Sequence, residues 1–541
     1  MTPTLVQDPP ETKAAPAPSQ NLAASVGRNT IFGALSGATN VATRLITIPI
    51  VIAHLGLGGY GIWSIIMTTA AYMRFGAVGV KSAFQKYVAE ATGSGDYDQA
   101  SRLLSTGCAV MLVLSVVGLV PVFFFSGNLA RMAGVPSEFL KPTSNSISVL
   151  AIIMILSNVG AVFEAILMGG HRIDVARRFS TISVIAEAIA IVAVLHKGYG
   201  LLAMASVMGI SEVGYVFCCY LASRKIVPQI IVSVKYVSTS VLHELGRFAG
   251  SYQLVNLLQV LYAALLPLAV LRAFGADRSG IYALSLRMIN PAQMLEDAFL
   301  LSILSGGSMV YASGAVERMQ NLLHKSYKIT FAFAFVPMAF IACFGPTIVF
   351  AWTGQTSPEF QRVLILVSIA GVFQAVSILG LVLYRISGKA ILDNIRQVLV
   401  LATLFVVSVF ARKLGFHGVL AGLAFAELLG MFFMIYAVAR TFHLFRPVTL
   451  LSDAWKGLVA TAAIILVGVA ASQIPIPIAA PRMLAWVRLA VVCAACGFVS
   501  VPALLLSRFV SVDEGQRALR AVFPRRFVPV GLREPLLGTA E

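Results

Sequence analysis

A guanidinium inside an apolar helix is unfavourable, so its neighbours say what it is for. The stretch Ile31 to Ile52 has the pattern of a long apolar helix with Arg44 in its interior. At 3.6 residues per turn, Ser36, Gly37, Asn40, Arg44 and Thr47 share one face. An ionisable group in a membrane segment costs at least ~3 kcal/mol and usually faces a cavity or a partner. Two further apolar runs carry the same signature: one holds Ser64, Thr68 and Arg74, the other Arg287, Asn290 and Asp297. Tyr252, Asn256 and Gln259 form another polar stripe at helical spacing. Arginine matches phosphate bidentately. Arg44, Arg74 and Arg287, with Asn40, Asn256, Gln259 and Asn290, therefore predict a cationic cavity for an anionic ligand, plausibly a pyrophosphate whose lipid tail lies between helices. Asp297 and Glu164 are weaker candidates for ion coupling, and Glu187, Glu212 and Glu427 are also intramembrane.

Other chemistries lack their residues. The sequence has no G-x-x-x-x-G-K-[ST] loop for ATP. Asp96-Tyr97-Asp98 has a metal–sugar-nucleotide spelling but sits in a short polar linker, where a helix cap explains it. Cys493 and Cys496 have the spacing of a redox pair but lie among Val and Ala. No metal site, cofactor or enzymatic activity is expected. His54, His171 and His196 stand near helix boundaries and receive no role.

The elements that must position these groups follow from composition. The chain has 541 residues, 58% hydrophobic and only 12% charged, and apolar runs near membrane-spanning length recur throughout. This predicts an all-α polytopic membrane protein with about 14 transmembrane helices. The formal charge of +17 is spread singly or in pairs between those runs, which signals orientation rather than nucleic-acid binding. With a cytoplasmic N-terminus, 27 of the 40 Lys and Arg fall on the cytoplasmic side and 9 on the other, so both termini are expected inside.

An offset of 219 residues relates the two halves. Gly27-Arg28 matches Gly246-Arg247, Gly56 matches Gly275, and Gly61-Ile62 matches Gly280-Ile281. Gly169, Asp174 and Arg177 match Gly388, Asp393 and Arg396. Two six-helix lobes related by a pseudo-two-fold repeat are expected at 25–224 and 248–443, joined by a cytoplasmic linker at 225–247. A helix pair follows at 444–508. Residues 1–24 read as a disordered cytoplasmic tail and 509–541 as a basic tail on anionic lipid. Ser240 to Leu245 reads as a short interfacial helix.

Leu55-Gly-Leu-Gly-Gly-Tyr-Gly-Ile-Trp-Ser-Ile after Gly27-Arg28-Asn29, and Phe344-Gly-Pro-Thr-Ile-Val-Phe-Ala-Trp-Thr-Gly, resemble the polysaccharide transport (Wzx-type O-antigen flippase) family of the MOP exporter superfamily. The resemblance covers about residues 25–510. It implies an inner-membrane flippase, without enzymatic activity, that moves a polyprenyl-pyrophosphate-linked oligosaccharide for exopolysaccharide, capsule or O-antigen synthesis by alternating access. Implied partners are the lipid-linked oligosaccharide, membrane lipids, and a polysaccharide polymerase and export machinery. The related lipid II flippases carry cavity arginines on helices 1, 2 and 8, the helices of Arg44, Arg74 and Arg287. A lipid II flippase and a drug/cation antiporter are the alternatives within the superfamily.

Overall fold

A computed structural model describes residues 20–170, 172–313, 316–387, 391–442, 447–476, 479–507 and 509 of the chain. Of the tails expected at 1–24 and 509–541, residues 1–19 and 510–541 lie outside the described residues, as do His171 and Gly388, while 20–24 open the first helix rather than a disordered tail. Among the described residues fourteen α-helices follow one another: α1 (Gln20–Met73), α2 (Phe75–Ser94), α3 (Tyr97–Met132), α4 (Ser137–Gly169), α5 (Ile173–His196), α6 (Leu201–Ile226), α7 (Thr239–Phe274), α8 (Ala276–Ala312), α9 (Val316–Thr353), α10 (Glu359–Ile386), α11 (Ile391–Val409), α12 (Ala411–Phe442), α13 (Pro447–Ser472) and α14 (Pro481–Leu506). There is no strand among the described residues. Among the described residues ten helices contain a segment long and apolar enough to cross a bilayer, and their outward faces expose residues such as Phe124, Ile182, Ile210, Leu466 and Phe498. The chain is a multi-pass, all-α membrane protein.

Hydropathy alone misplaces one boundary. The second span, expected to end near residue 80, runs on through α2 to Ser94. Lys81 and Lys86 ended the apolar run without ending the helix. Arg74 thus lies midway along a helical rod of residues 57–94, broken only at Arg74 itself, and not at its end. The break frees the Met73 carbonyl, which accepts a hydrogen bond from the buried Asn158 amide at 2.8 Å.

The repeat is visible in the backbone. Gly56 (φ 70°, ψ 177°) divides α1 into two arms, and Gly275 (φ 88°, ψ −179°), 219 residues later, separates α7 from α8 in the same conformation. Only glycine adopts this region without strain. The second arm of α1 packs along α8. A Cβ on Gly61 would stand 2.5 Å from the Gly280 nitrogen and 2.6 Å from the Ala276 oxygen, while one on Gly280 would strike the Leu57 carbonyl. Residues 57 and 61 correspond to 276 and 280, so each contact is the other's symmetry mate. The pseudo-two-fold axis passes between Gly61 and Gly280, at the Gly56 end of the bundle.

Around this contact α1 packs with α5, α3 with α4, and α4 with α6, while α10 packs with α9, α8 and α12, and α11 with α12. The last two helices lie against each other and against α9. Between the two sets, an extended segment is tied to α3. Ser101 Oγ, Ser105 Oγ and Thr106 Oγ1 accept from the amides of Ile231, Ser233 and Ser238 at 3.0, 3.0 and 2.9 Å. Residues 240–245 are the opening turns of α7 rather than the separate interfacial helix expected there.

Candidate functional site

The polar faces converge between the two helix sets. A cavity of about 780 Å³ is lined by both arms of α1, by α4, α5 and α6, and by α7 and α8. Of the expected residues, Asn40, Arg44, Arg74, Arg287, Asn290 and Glu164 line it. Gln259 is exposed and is not among the lining residues. On α7 the wall begins one turn later, at Ala263. The side chains of Asn256 and Asp297 lie outside the described residues.

Each charged group has a definable setting. On the first arm of α1, Arg44 donates from Nε to the Asn40 Oδ1 at 2.8 Å, one helical turn back. That bond orients the guanidinium and leaves its two terminal nitrogens to face the cavity. Arg287 reaches in from α8 and faces the Tyr60 hydroxyl of the second α1 arm, across the boundary between the helix sets. These two arginines come from opposite repeats.

Arg74 is different. Its guanidinium pairs with Glu212 of α6, which also accepts from the Ser157 hydroxyl of α4 at 2.6 Å. Glu187 of α5 stands within electrostatic range of Arg44, Arg74 and Glu212. Glu164 of α4 lies beside Tyr215 of α6. The wall therefore carries three arginines and three glutamates, so the cavity expected to be cationic from Arg44, Arg74 and Arg287 also holds acidic groups. Positive character is local to Arg44 and Arg287, because Glu212 neutralises Arg74.

The sequence marks Glu187 and Glu212 as intramembrane, and the structure sets Glu212 against Arg74 and Glu187 near Arg44 and Arg74. Their signal was present as polar residues at helical spacing: Ser180, Ser183 and Glu187 on α5, and Glu212 and Tyr215 on α6. Tyr60, Trp63 and Tyr72 complete an aromatic wall. The buried Tyr72 hydroxyl has no hydrogen-bond partner among the described residues. A cavity with two oriented guanidiniums, a carboxylate-rich flank and aromatic faces can hold an anion next to a hydroxyl-rich group.

Glu427, the fourth intramembrane glutamate, is elsewhere. It accepts from Tyr262 at 2.6 Å and from Arg396 at 3.0 Å, and Arg396 Nε donates to Ser377 at 2.7 Å. This buried network joins α7, α10, α11 and α12 away from the cavity. The expected capping role of Asp96 is seen directly, its side chain accepting from the Gln99 amide at 3.0 Å.

Comparison with known proteins gives the fold a context. The MatE family model matches residues 34–192. A Bacillus subtilis (strain 168) protein named "Uncharacterized membrane protein EpsK" is 21% identical over 348 residues, which is 62% of this chain and 66% of that protein, just under two thirds of its length. Among solved structures, the lipid II flippase MurJ in an inward closed conformation superposes with a TM-score of 0.67 at 13% identity, covering 88% of this chain and 98% of that one. An inward-facing multidrug-resistance MATE transporter of the MOP superfamily gives 0.62 at 17% identity, over 74% and 95%. The chain has the fold shared by these two transporters.

Proposed function

We propose that this protein is a flippase of the MOP exporter superfamily. It moves a polyprenyl-pyrophosphate-linked oligosaccharide across the bacterial inner membrane for exopolysaccharide, capsule or O-antigen synthesis. The observation that carries the reading is the pair Arg44 and Arg287, set on opposite repeats around one cavity, with Asn40 orienting the first. A diphosphate fits two guanidiniums that approach from two sides. The neighbouring serines, glutamates and aromatic rings suit sugar hydroxyls and ring faces. The likeness to a lipid II flippase supports a lipid-linked anionic cargo.

The lobes meet at the Gly56 end, which the Lys and Arg distribution assigns to the periplasmic side, with both termini cytoplasmic. The conformation is then closed outside, and transport proceeds by alternating access about the Gly61–Gly280 contact. A polymerase and export machinery would take the cargo on the far side.

Gene deletion followed by analysis of lipid-linked glycans tests this. The expected result is loss of surface polysaccharide and accumulation of one lipid-linked oligosaccharide in the cytoplasmic leaflet. Arg44→Ala and Arg287→Ala should each reproduce it in protein that still inserts. Each charge-assisted contact is worth about 1.5–3 kcal/mol, so each loss weakens pyrophosphate binding ~10- to ~150-fold. Normal export by the double variant removes the proposal. A second reading, an exporter of organic cations, draws on Glu164 and Glu187 in the wall. It predicts that deletion raises drug susceptibility and leaves polysaccharide intact. A lipid II flippase, the third, predicts that depletion stops peptidoglycan synthesis.

A further inference from the structure

Pro49 interrupts the first arm of α1. Its ring nitrogen carries no proton, so the Leu45 carbonyl, four residues earlier, loses its helical donor. That carbonyl has a partner from elsewhere in the molecule. The indole Nε1–H of Trp352, in the last turn of α9, donates to it at 2.7 Å. Helices α1 and α9 belong to different repeats, and the bond lands one residue past Arg44. The indole ring itself packs against the main apolar core.

The far side of α9 is held as well. Arg482, in the first turn of α14, donates from Nη2 to the carbonyls of Trp352 and Ala351 at 3.0 and 3.4 Å. These are terminal carbonyls of α9, which have no donor within their own helix. A chain of named contacts thus runs from the appended helix pair, through the end of α9, to the helix that carries Arg44. The repeat does not duplicate it: the position equivalent to Trp352 is Ala133, whose side chain has no donor.

We propose that Trp352 is a latch across the lobe boundary. It holds the first arm of α1, and with it Arg44, in the conformation described here, and it releases when the lobes part at the Gly56 end. This rests on the transporter reading above. The physical case is that the bond has no substitute while the lobes are closed. The bond lies at an exposed position, Leu45 being 49% exposed; against lipid its release would leave an N–H and a carbonyl unsatisfied together, whereas water entering an opening cleft can satisfy both. The latch therefore favours two states, closed and dry or open and wet, over intermediates between them.

The experiment uses full-length protein in lipid nanodiscs, with the six cysteines replaced by serine and spin labels at Lys197→Cys and Lys413→Cys. These positions follow α5 and open α12, at the Gly56 end of opposite lobes. Trp352→Phe keeps a ring but removes the N–H. It should raise the ratio of long to short interspin distances about five-fold, the equivalent of one typical net hydrogen bond. Pro49→Ala returns a helical donor to the Leu45 carbonyl and should shift the ratio in the same direction. Adding Trp352→Phe to Pro49→Ala should then have little further effect. Thermal melts of each variant establish that it is folded. Two distance populations left unmoved by Trp352→Phe overturn the latch and leave the transporter reading standing. Additive effects of the two substitutions also overturn it, because ring packing alone would produce them. One immobile population in every variant removes alternating access and the latch with it.

Discussion

Replacing Gly61 by alanine places a methyl group where two backbones already touch. Its Cβ would lie 2.5 Å from the Gly280 nitrogen and 2.6 Å from the Ala276 oxygen, against 3.4 Å for ordinary contact. The two helices must therefore separate by about 0.9 Å, the difference of 3.4 and 2.5 Å. Both obstacles are main-chain atoms, so no side-chain rotation relieves them. Overpacking of this kind costs ~1–3 kcal/mol, and the cost falls only on the state in which the lobes meet. The closed-to-open ratio should drop ~5- to ~150-fold. Ser279, buried beside this contact and lining the cavity, supplies the reporter. In a Ser279→Cys background, membrane-impermeant maleimide added from the side of the Gly56 end should label Gly61→Ala faster by that factor. Gly118→Ala is the control, because a Cβ there meets nothing within 4 Å. An unchanged labelling rate in well-folded Gly61→Ala refutes the argument that this contact closes the cavity.

Three further outcomes follow from contacts away from the axis. Glu427→Ala leaves the buried Arg396 guanidinium without its carboxylate, and should lower stability by about 3–5 kcal/mol. Replacing both partners by Met and Leu should recover most of that in a thermal melt. Glu212→Ala should cost only about 1 kcal/mol, because Arg74 is 43% exposed. In a double-mutant cycle with Arg74→Ala the two losses should be less than additive. Ser101→Ala with Ser105→Ala unties the inter-lobe segment from α3, and faster hydrogen exchange at the Ile231 and Ser233 amides is the expected signature.

What the sequence made legible, and what it hid, divides along one physical line. Period-3.6 patterning finds the helices and says which residues share a face, so the Asn40–Arg44 pair and the placing of Asn290 toward one polar side could be read in advance. The glycine repeat could be read because a positive φ and a backbone contact each exclude side chains: Gly56 with Gly275, Gly61 with Gly280. Patterning does not say which faces meet. Arg74 finds Glu212 across 138 residues, and Trp352 finds Leu45 across 307, with no local spacing to announce either. Gln259 lies one turn before Ala263, where the wall on α7 begins, because the polarity of a face does not fix how far the cavity extends along it.

The two repeats have divided their polar residues unequally, and this bears on how a cavity of nearly balanced charge could handle an anion. Arg44, Arg74, Glu164, Glu187 and Glu212 all sit in the first repeat. Their counterparts 219 positions later are Ala263, Gln293, Leu383, Val406 and Met431. Of these, Leu383 is buried in apolar packing and Val406 faces outward. The second repeat kept its buried charges for its own interior, in the Arg396–Glu427 pair, and presents Arg287 to the cavity from beside the axis. Arg44 and Arg287 face each other from opposite repeats, so a rocking of one repeat against the other changes the spacing of these two guanidiniums. Arg74 and Glu212 would ride together on the first repeat. A diphosphate bridging Arg44 and Arg287 feels that change directly, because Coulomb attraction and bidentate geometry both depend steeply on separation at contact distance. The carboxylate flank, whose three glutamates all sit on the first repeat, would not. That separation gives one cavity a site whose grip changes with conformation and a surface that stays constant.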